Sequence, residues 1–316
     1  MTESYSLPQQ HALAMKKTLL LTSLVISSST VFAALPLYEP FADATGNGGT
    51  SYTVGANVTA QNNGSGDVTW SAVGPAGANN TVAAANLTVP GLSLSSGGSM
   101  EYGVSSGPSA RLNLGSSFTS GTLYYSFALK VADLGSLGTS GGFAVAFNNA
   151  QGAQVGTPSV VTACLMMRSV VSAASGNFNI GIRKATGTPT WDSTVFSITD
   201  PNPIFVVASL QFNTGNSTDD VASMWLNPSS STFGNPSAPF TALTHTGVND
   251  TGPIASLVFF RRATAANQAA DMFSDEIRVG TTWADVTPPI PEPASMALAT
   301  IGGFALLGLR AFRSRK

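Results

Sequence analysis

Three glutamates, Glu39, Glu101 and Glu276, are the residues best suited to acid–base chemistry in the central part of the sequence. Enzymatic cleavage of a glycosidic bond with retention requires two carboxyl groups about 5 Å apart. These glutamates are far apart in the sequence, and the adjacent Asp275 and Glu276 point to opposite faces if both lie in a strand. We therefore predict no catalytic residue and interpret the acids as strand-end charges that pair with Arg278 or face solvent.

Nucleophilic and metal chemistry have equally few candidate residues. His245 is the only histidine after residue 33. It is expected in an exposed loop, with no second histidine for a zinc site. The only cysteine, Cys164, is expected to be a small buried residue in a strand. Asp219 and Asp220, at a predicted hairpin turn, are candidate calcium ligands because hard cations prefer oxygen, although Asp-rich turns are more often simply solvated. No other cofactor is expected.

The aromatic residues offer a different chemistry, the stacking of sugar rings. Four tryptophans are present, at positions 70, 191, 225 and 283. Tryptophans in a sandwich of this size are first interpreted as core residues. One exposed sugar-binding platform is the alternative.

The charge of the central segment restricts its partners. Residues 34–288 contain 8 basic and 14 acidic residues, a net charge of −6. This balance argues against nucleic acid and against anionic membrane surfaces as partners. The segment is long enough for one hydrophobic core. Its abundance of Gly, Ser, Thr, Asn and Ala, with sparse charge, is typical of a secreted all-β protein with many turns.

Alternating apolar residues predict the elements that position these side chains. The clearest strand is 123–131, in which every second residue is apolar. Residues 213–220 form a predicted turn that joins strands 204–212 and 221–226 into a hairpin. No segment of residues 34–288 has a helical period, so the sequence predicts an all-β sandwich or jelly roll. Further strands are predicted at 35–41, 68–73, 82–89, 143–147, 160–171, 178–182, 257–260 and 276–279.

Residues 15–33 have the pattern of a signal peptide. Met15 and two lysines precede an apolar stretch, residues 18–31, and small residues at Val31 and Ala33 suit signal peptidase. Cleavage is predicted between Ala33 and Ala34. Residues 1–14 do not fit a leader and are interpreted as lying upstream of the true start. An N-terminal membrane anchor is the alternative.

Residues 288–316 read as a membrane-insertion signal in three parts. A Pro-rich linker, 288–293, precedes sixteen uncharged residues, 294–309, and a basic tail. This order predicts a single apolar helix with its basic end in the cytoplasm. Sixteen helical residues are short of the roughly 20 that span a bilayer, and a buried core helix is the alternative. The residues that define the signal are Pro291, Glu292, Pro293, Arg310, Arg313, Arg315 and Lys316.

These three parts resemble the PEP-CTERM sorting signal of exopolysaccharide-producing bacteria, also known as the ice-binding-protein C-terminal domain. The resemblance rests on Pro291-Glu292-Pro293, the apolar span and the arginine-rich tail. It implies recognition by an exosortase, a membrane cysteine peptidase that cleaves near the Pro-Glu-Pro motif. It also implies sorting to the outer surface or extracellular matrix, with membrane association before cleavage. It implies nothing about the segment that is exported.

The exported segment has a second resemblance, to the concanavalin A-like, laminin-G-like jelly rolls that often precede such tails. Three landmarks carry it: LYEPF at residues 37–41, WLNP at 225–228 and DEIRVGTTW at 275–283. The resemblance implies a jelly-roll β-sandwich over residues 34–287. If its terminal strands pair, the first and last landmarks lie together.

Three hypotheses about function follow. The first is a non-enzymatic surface or matrix protein that contacts exopolysaccharide, because the targeting signals are clear and no catalytic set is present. The second is a glycan-active hydrolase or lyase with an unrecognised site, because the concanavalin A-like fold hosts such enzymes. The third is ice binding, which the absence of a regular Thr-x-Thr ladder disfavours.

Overall fold

The computed structural model describes Met1 and residues 35–290, except for 42–51, 62–68, 76–79, 94–96, 105–107 and 262–264. Internal contacts divide the chain into two units, Met1–Val31 and Phe32–Lys316. The predicted signal peptide, its cleavage site and the sorting residues 291–316 lie outside the described residues. The architecture given below is that of the second unit.

Sixteen β-strands form in the described part of this unit. In chain order they are β1 (Leu37–Glu39), β2 (Thr69–Val73), β3 (Thr81–Ala83), β4 (Ser99–Tyr102), β5 (Ser109–Phe118), β6 (Thr122–Asp133), β7 (Gly142–Asn148), β8 (Val161–Ser169), β9 (Asn177–Arg183), β10 (Thr190–Trp191), β11 (Phe196–Ser197), β12 (Ile204–Gln211), β13 (Val221–Leu226), β14 (Leu243–His245), β15 (Ile254–Phe259) and β16 (Asp271–Gly280).

The strands make two antiparallel sheets that pack face to face. Sheet A has the order β14-β13-β12-β6-β16-β4-β3, with β1 also paired to β16. Sheet B has the order β10-β9-β8-β7-β15-β5-β2, with β11 also paired to β9. The chain crosses repeatedly between the sheets, from β5 to β6 to β7 and again from β14 to β15 to β16. These crossings are those of a jelly roll, so the predicted all-β jelly-roll sandwich is confirmed.

The main core lies between the two sheets and follows from the alternation in the sequence. The five predicted apolar positions of β6 are at most 3% exposed. They face the apolar residues of sheet B across the sandwich, where burial of each large side chain is worth about 1.5–3 kcal/mol. The β6 core residues are Leu123, Tyr125, Phe127, Leu129 and Val131.

An outer cluster covers the opposite face of sheet A. Trp225 of β13 packs against Trp283, with ring centroids 5.1 Å apart, and Phe205 of β12 packs against Phe233. Residues 87–92 close over these side chains. The outer cluster consists of Leu87, Val89, Leu92, Ala128, Phe205, Val207, Trp225, Phe233, Trp283 and Val286.

Helical structure in the described residues is limited to short turns. One α-helix, α1 (Trp283–Val286), begins with a capping box: Thr282 Oγ1 accepts from Asp285 N at 3.2 Å, and Asp285 Oδ2 accepts from Thr282 N at 2.9 Å. Four 3-10 turns are too short for a helical period to appear in the sequence. They are Val58–Ala60, Ala173–Ser175, Ser230–Thr232 and Ala265–Asn267.

The two ends of the described unit meet at β16. Strand β1 pairs with β16 so that Tyr38 faces Arg278, and the first and last sequence landmarks therefore lie together as expected. The predicted linker 288–293 is partly docked. Ser93 N donates to Pro288 O at 3.0 Å, and Ile290 N donates to Gly91 O at 3.2 Å. Its first three residues thus belong to the folded unit.

Five strands are absent from the sequence prediction: β4, β5, β10, β11 and β14. Four of them have at most four residues, too few for alternation to be visible. In the predicted strand 82–89, only the first residues form β3, and the rest form irregular chain over the outer cluster.

Candidate functional site

The face of sheet B that is turned away from the main core carries aromatic and cationic side chains. In β9, Ile180 and Ile182 enter the main core, which leaves Gly181 and Arg183 on the outer side. The same alternation in β8 places Arg168 there. We define the arginine–aromatic face by four partly exposed residues: Phe143, Arg168, Arg183 and Trp191.

Trp191 lies over β9 because its partner in the ladder is a glycine. Trp191 pairs with Gly181. A Cβ atom on Gly181 would lie 2.7 Å from Trp191 Cε3 and 2.6 Å from Thr190 O. Any other residue at 181 would therefore displace the ring. The registers of the next strands place Met166 and then Phe143 in line with Trp191 and Gly181.

Each of the two outer arginines stacks on one of these rings. The Arg168 guanidinium lies 4.3 Å from the Trp191 ring centroid, and that of Arg183 lies 5.6 Å from the Phe143 centroid. Cation–π contacts of this kind hold a guanidinium in place without using its N–H donors. Arg183 Nε is buried with no hydrogen-bond partner within the described part of the chain.

A third arginine lies deeper on the same side of sheet B. Arg111 of β5 is fully buried. Its guanidinium donates to Gly152 O, Asn148 Oδ1 and Gln154 Oε1, each at 2.8 Å. These acceptors are all uncharged, and burial lowers the pKa of the Arg111 side chain. The positive charge of Arg111 is thus solvated by amides and a carbonyl.

The expectation that Asp275 and Glu276 point to opposite faces is wrong. A β-bulge in β16 interrupts its pairing with β6 between Asp275 and Arg278, and Glu276 has a φ of 55°. Because the bulge adds a residue to the alternation, both side chains turn toward residues 86–93. Leu87 N donates to Asp275 Oδ2 at 2.9 Å, and Glu276 lines a cavity of about 10 Å³ with residues 86–89, 92 and 93.

Both carboxyl groups are nevertheless inaccessible to a large substrate. Asp275 is 0% and Glu276 3% exposed. Glu276 Oε2 accepts from Arg278 at 2.7 Å, as predicted from the sequence, and Tyr38 Oη donates to it at 3.0 Å. The cavity has room for about one water molecule. Burial raises the pKa of Asp275 to about 8, and the neighbouring Glu276 and Glu39 charges add to it; burial also raises the pKa of Glu276.

The other two glutamates lie apart from each other, one in the main core and one at the surface of sheet A. Glu39 is fully buried in the main core, where Trp70 Nε1 donates to Oε2 at 3.0 Å and Tyr52 Oη donates to the same oxygen. Burial raises the pKa of Glu39 to about 7. Glu101 is exposed on β4. Its ladder partners are Thr81 and Phe273. Asp271, two residues before Phe273 in β16, lies near enough that the Glu101 charge adds to the burial that raises the pKa of Asp271.

The calcium candidates Asp219 and Asp220 do come together, and Asp250 joins them. One carboxylate oxygen of each lies within 4.8 Å of the others. A cationic side chain already occupies this cluster. Lys184 Nζ lies 2.6 Å from Asp250 Oδ1 and donates to Asp220 O at 3.0 Å. This ammonium group balances the charge that a calcium ion would balance, and calcium binding here stays a prediction.

His245 lies in a different environment from that expected. It belongs to β14 and is 8% exposed, so the predicted exposed loop is wrong. Lys184 N donates to His245 Nδ1 at 3.2 Å, and Nε2 lies 2.9 Å from Thr188 O. The imidazole thereby connects β14 to the end of β9. The prediction of a buried Cys164 is confirmed.

Only one tryptophan is a candidate for an exposed sugar platform. Trp70, Trp225 and Trp283 are at most 8% exposed, whereas Trp191 is partly exposed. Trp225 lines a surface cavity of about 320 Å³ at the edge of the sandwich. This volume is at the low end of small-molecule sites. The cavity also contains Asp192, the residue after Trp191, together with Met224, Leu226, Asn227, Pro228, Ser229, Thr232, Pro239, Thr241 and Leu243.

A comparison with protein-family models identifies the C-terminal segment. Residues 289–316 match the PEP-CTERM protein-sorting motif. The predicted recognition is confirmed, and the chain is an exported, exosortase-sorted protein directed to the cell surface. Among the described residues, no helix is long and apolar enough to cross a membrane. The predicted span 294–309 and the residues Pro291 to Lys316 lie outside them.

Solved structures similar to this PEP-CTERM protein are distant β-sandwiches. Alginate lyase Aly36B is 13% identical with a TM-score of 0.37, over 67% of this chain and 96% of the lyase. A GH43 glycoside hydrolase is 12% identical with a TM-score of 0.35, over 62% and 37%. The carbohydrate recognition domain of Emp47p is 9% identical with a TM-score of 0.31, over 60% and 85%. These likenesses concern the fold alone. No curated protein matched the sequence.

The sequence contained a signal for the arginine–aromatic face that the prediction did not use. Alternation in 178–183 already places Arg183 opposite the core residues. Cys164 and Met166 face the same side of their strand, and Arg168, two residues further along, is expected to face that side too. The sequence did not indicate that β10 would bring Trp191 beside Arg168 and Arg183.

Proposed function

We propose that the exported jelly roll of this PEP-CTERM protein binds polysaccharide and does not cleave it. The observation that carries the proposal is the partly exposed Trp191 ring, laid over Gly181 in line with Phe143 on the outer face of sheet B. The exposed part of an aromatic ring contacts the apolar C–H groups of sugar rings, and Arg168, which lies over Trp191, offers N–H donors to their hydroxyl groups. A row across several strands suits a chain of sugars better than a single one.

The non-enzymatic part of the proposal is supported by the position of the acids. A hydrolase or lyase needs an accessible acid and base beside the bound sugar. Asp275 and Glu276 are adjacent but lie beneath residues 86–93, on sheet A, and Glu39 lies in the main core. A glycan-active enzyme remains the alternative, with the exposed Glu101 as its most accessible glutamate.

We expect Trp191→Ala to lower affinity for the host's exopolysaccharide roughly tenfold, because aromatic side chains at the centre of an interface carry much of the binding energy. Trp191→Phe should retain most of the affinity. The measurement is affinity electrophoresis of the full-length protein in gels that contain the purified exopolysaccharide.

Phe240→Ala is the matched control. Phe240 is more exposed than Trp191, at 107% of the reference surface, and precedes Thr241 of the cavity lining rather than lying in sheet B. Retardation of wild type and Trp191→Ala to the same degree would contradict the proposal. Release of reducing ends or unsaturated products, abolished by Glu101→Gln, would favour the enzyme instead.

We also propose the processing route that places the module at the surface. Signal peptidase cleaves after Ala33, the apolar span 294–309 holds the protein in the membrane with its basic end cytoplasmic, and an exosortase then cleaves near Pro293. The docking of residues 288–290 on the folded unit supports a cut beyond Ile290, because such a cut leaves these contacts intact.

Mass spectrometry of the surface form should therefore show an N-terminus at Ala34 and a C-terminus near Pro293. Neutral replacements at Arg310, Arg313, Arg315 and Lys316 should cause mis-sorting while the jelly roll stays folded, because the basic tail sets the orientation. Intact protein that ends at Lys316 and stays in the membrane fraction would favour a permanent single-span anchor.

A further inference from the structure

Charged residues are divided unequally between the two sheets. The eight strands of sheet B contain three arginines and no acidic residue. The eight strands of sheet A contain six acidic residues and two basic ones. The arginines of sheet B are Arg111, Arg168 and Arg183; the charged residues of sheet A are Glu39, Glu101, Lys130, Asp133, Asp271, Asp275, Glu276 and Arg278.

The arginines of sheet B have no acidic partner among the described residues. The two ion pairs there are Lys184–Asp250 and Arg278–Glu276. The acid that follows sheet B most closely in the chain, Asp192, accepts from Thr194 N at 2.7 Å and lines the cavity beside Trp225. A protein whose central segment is net acidic thus presents one cationic face.

The geometry points to a polyanionic, carboxylate-bearing polysaccharide as the ligand of the arginine–aromatic face. This inference rests on the proposed polysaccharide-binding function and names its substrate class. The guanidinium carbons of Arg168 and Arg183 lie over the Trp191 and Phe143 rings, and these contacts use none of the terminal N–H donors. A planar guanidinium binds a carboxylate through two parallel hydrogen bonds, and stacking preorganises it to do so.

The distance between the two arginines fits a chain ligand. Arg168 pairs with Asn179 in the β8–β9 ladder, and Arg183 lies four residues further along β9. Four residues of a strand span roughly 13 Å, which exceeds the length of one sugar ring. A polysaccharide with a charge on successive units can place one carboxylate at each arginine.

A glycan is favoured over nucleic acid by the location and the overall charge. The PEP-CTERM motif directs the protein to the cell surface. The net charge of −6 on residues 34–288 opposes binding to a long, highly charged duplex more than to a single chain held at one face.

The test is affinity electrophoresis of the full-length protein in gels that contain polygalacturonate, dextran sulfate, neutral dextran or duplex DNA. We expect retardation by polygalacturonate that weakens as salt rises from 50 to 200 mM, because exposed charges are screened within about 10 Å at 0.1 M. Arg168→Ala and Arg183→Ala should each reduce this affinity roughly tenfold. Arg168→Lys should lose part of it, since the charge remains but the planar group does not.

Lys130→Ala is the matched control, because it removes one positive charge from sheet A, where Lys130 Nζ donates to Asp200 O. Equal losses for Lys130→Ala and the arginine variants would overturn the inference, as would equal binding to neutral dextran. Equal binding to neutral dextran would, however, leave the proposed polysaccharide-binding function intact. Tighter binding of dextran sulfate or of DNA would overturn the carboxylated-glycan assignment. Failure to bind any polysaccharide would remove both the inference and the proposed function.

Discussion

Replacement of Trp283 by Ala should lower the free energy of unfolding by about 3–5 kcal/mol, the usual cost of truncating a large buried aromatic residue. Trp283 is 1% exposed and is the largest of the fully buried side chains among the described residues. Its ring packs edge-on against Trp225, and its Nε1 donates to Thr232 O at 2.9 Å. The variant would therefore leave a cavity and remove one of the two hydrogen bonds that Thr232 O accepts, the other coming from Asn235 N at 3.2 Å.

The effect should reach the whole sandwich because Trp283 connects separate parts of the chain. It begins α1, directly after β16, the strand that pairs with β1, β4 and β6. Its carbonyl accepts from Thr287 N at 3.1 Å, and Thr287 O accepts from Gly234 N at 2.8 Å. The outer cluster is thus continuous with the central strands of sheet A.

Urea unfolding followed by far-UV circular dichroism measures this change, with Trp191→Ala as the matched control. Trp191 is partly exposed and stacks on one arginine, so its removal should cost about 1 kcal/mol. A single cooperative transition shifted far more by Trp283→Ala than by Trp191→Ala is the expected result. Similar midpoints for the two variants would show that the outer cluster is energetically separate from the jelly roll.

The elements that could be predicted are those whose own residues alternate over several positions. β6, β12 and β13 were expected nearly in full, and the hairpin of β12 and β13 forms with the predicted turn. β5 was missed, although it is ten residues long. Ala110, Leu112 and Leu114 of β5 enter the main core and Phe118 packs against it, but residues 115–117 are Gly-Ser-Ser and interrupt the alternation. Its pairing with β15, some 145 residues away, has no local signal.

The site was less predictable because it depends on backbone detail. The side-by-side placement of Asp275 and Glu276 requires a bulge with a positive φ at a glutamate, which is rare for a residue with a side chain. The arginine–aromatic face requires the two-residue strand β10 to bring Trp191 over Gly181. Period-two alternation predicts which side of the sheet a residue faces, but it does not predict which distant strand lies beside that residue.

Two buried acids should make the fold less stable as the pH rises. Burial raises the pKa of Glu39 to about 7 and that of Asp275 to about 8. In the unfolded chain both groups return to ordinary values near 4. Glu276, whose pKa burial also raises, acts in the same direction. Between about pH 4 and pH 8 the folded state therefore holds protons that the unfolded state has released.

The sign follows from proton linkage. Where the folded state binds more protons than the unfolded state, the free energy of unfolding falls as the pH rises. The stability that the two protonated acids contribute to the folded state is fully present below about pH 4, and it is lost as the pH rises through about 7 to 8. The two acids together should lower the free energy of unfolding by on the order of a few kcal/mol across this window.

Urea midpoints at pH 5, 6, 7 and 8 should therefore decrease steadily in the wild type, and Asp275→Asn should flatten the decrease. The amide that this substitution introduces cannot ionise, although it loses one acceptor for Leu87 N or Glu276 N, so the overall stability of the variant also falls. The informative quantity is the slope of the urea midpoint with pH, which a merely damaged fold would leave unchanged.

Asp200→Asn is the control, at an exposed carboxyl that accepts from Ser197 N, and its urea midpoints should run parallel to those of the wild type. A wild-type midpoint that rises from pH 5 to pH 8 would mean that Asp275 and Glu39 are ionised within the fold, with their hydrogen bonds to backbone N–H groups, Tyr52 and Trp70 outweighing the cost of burial.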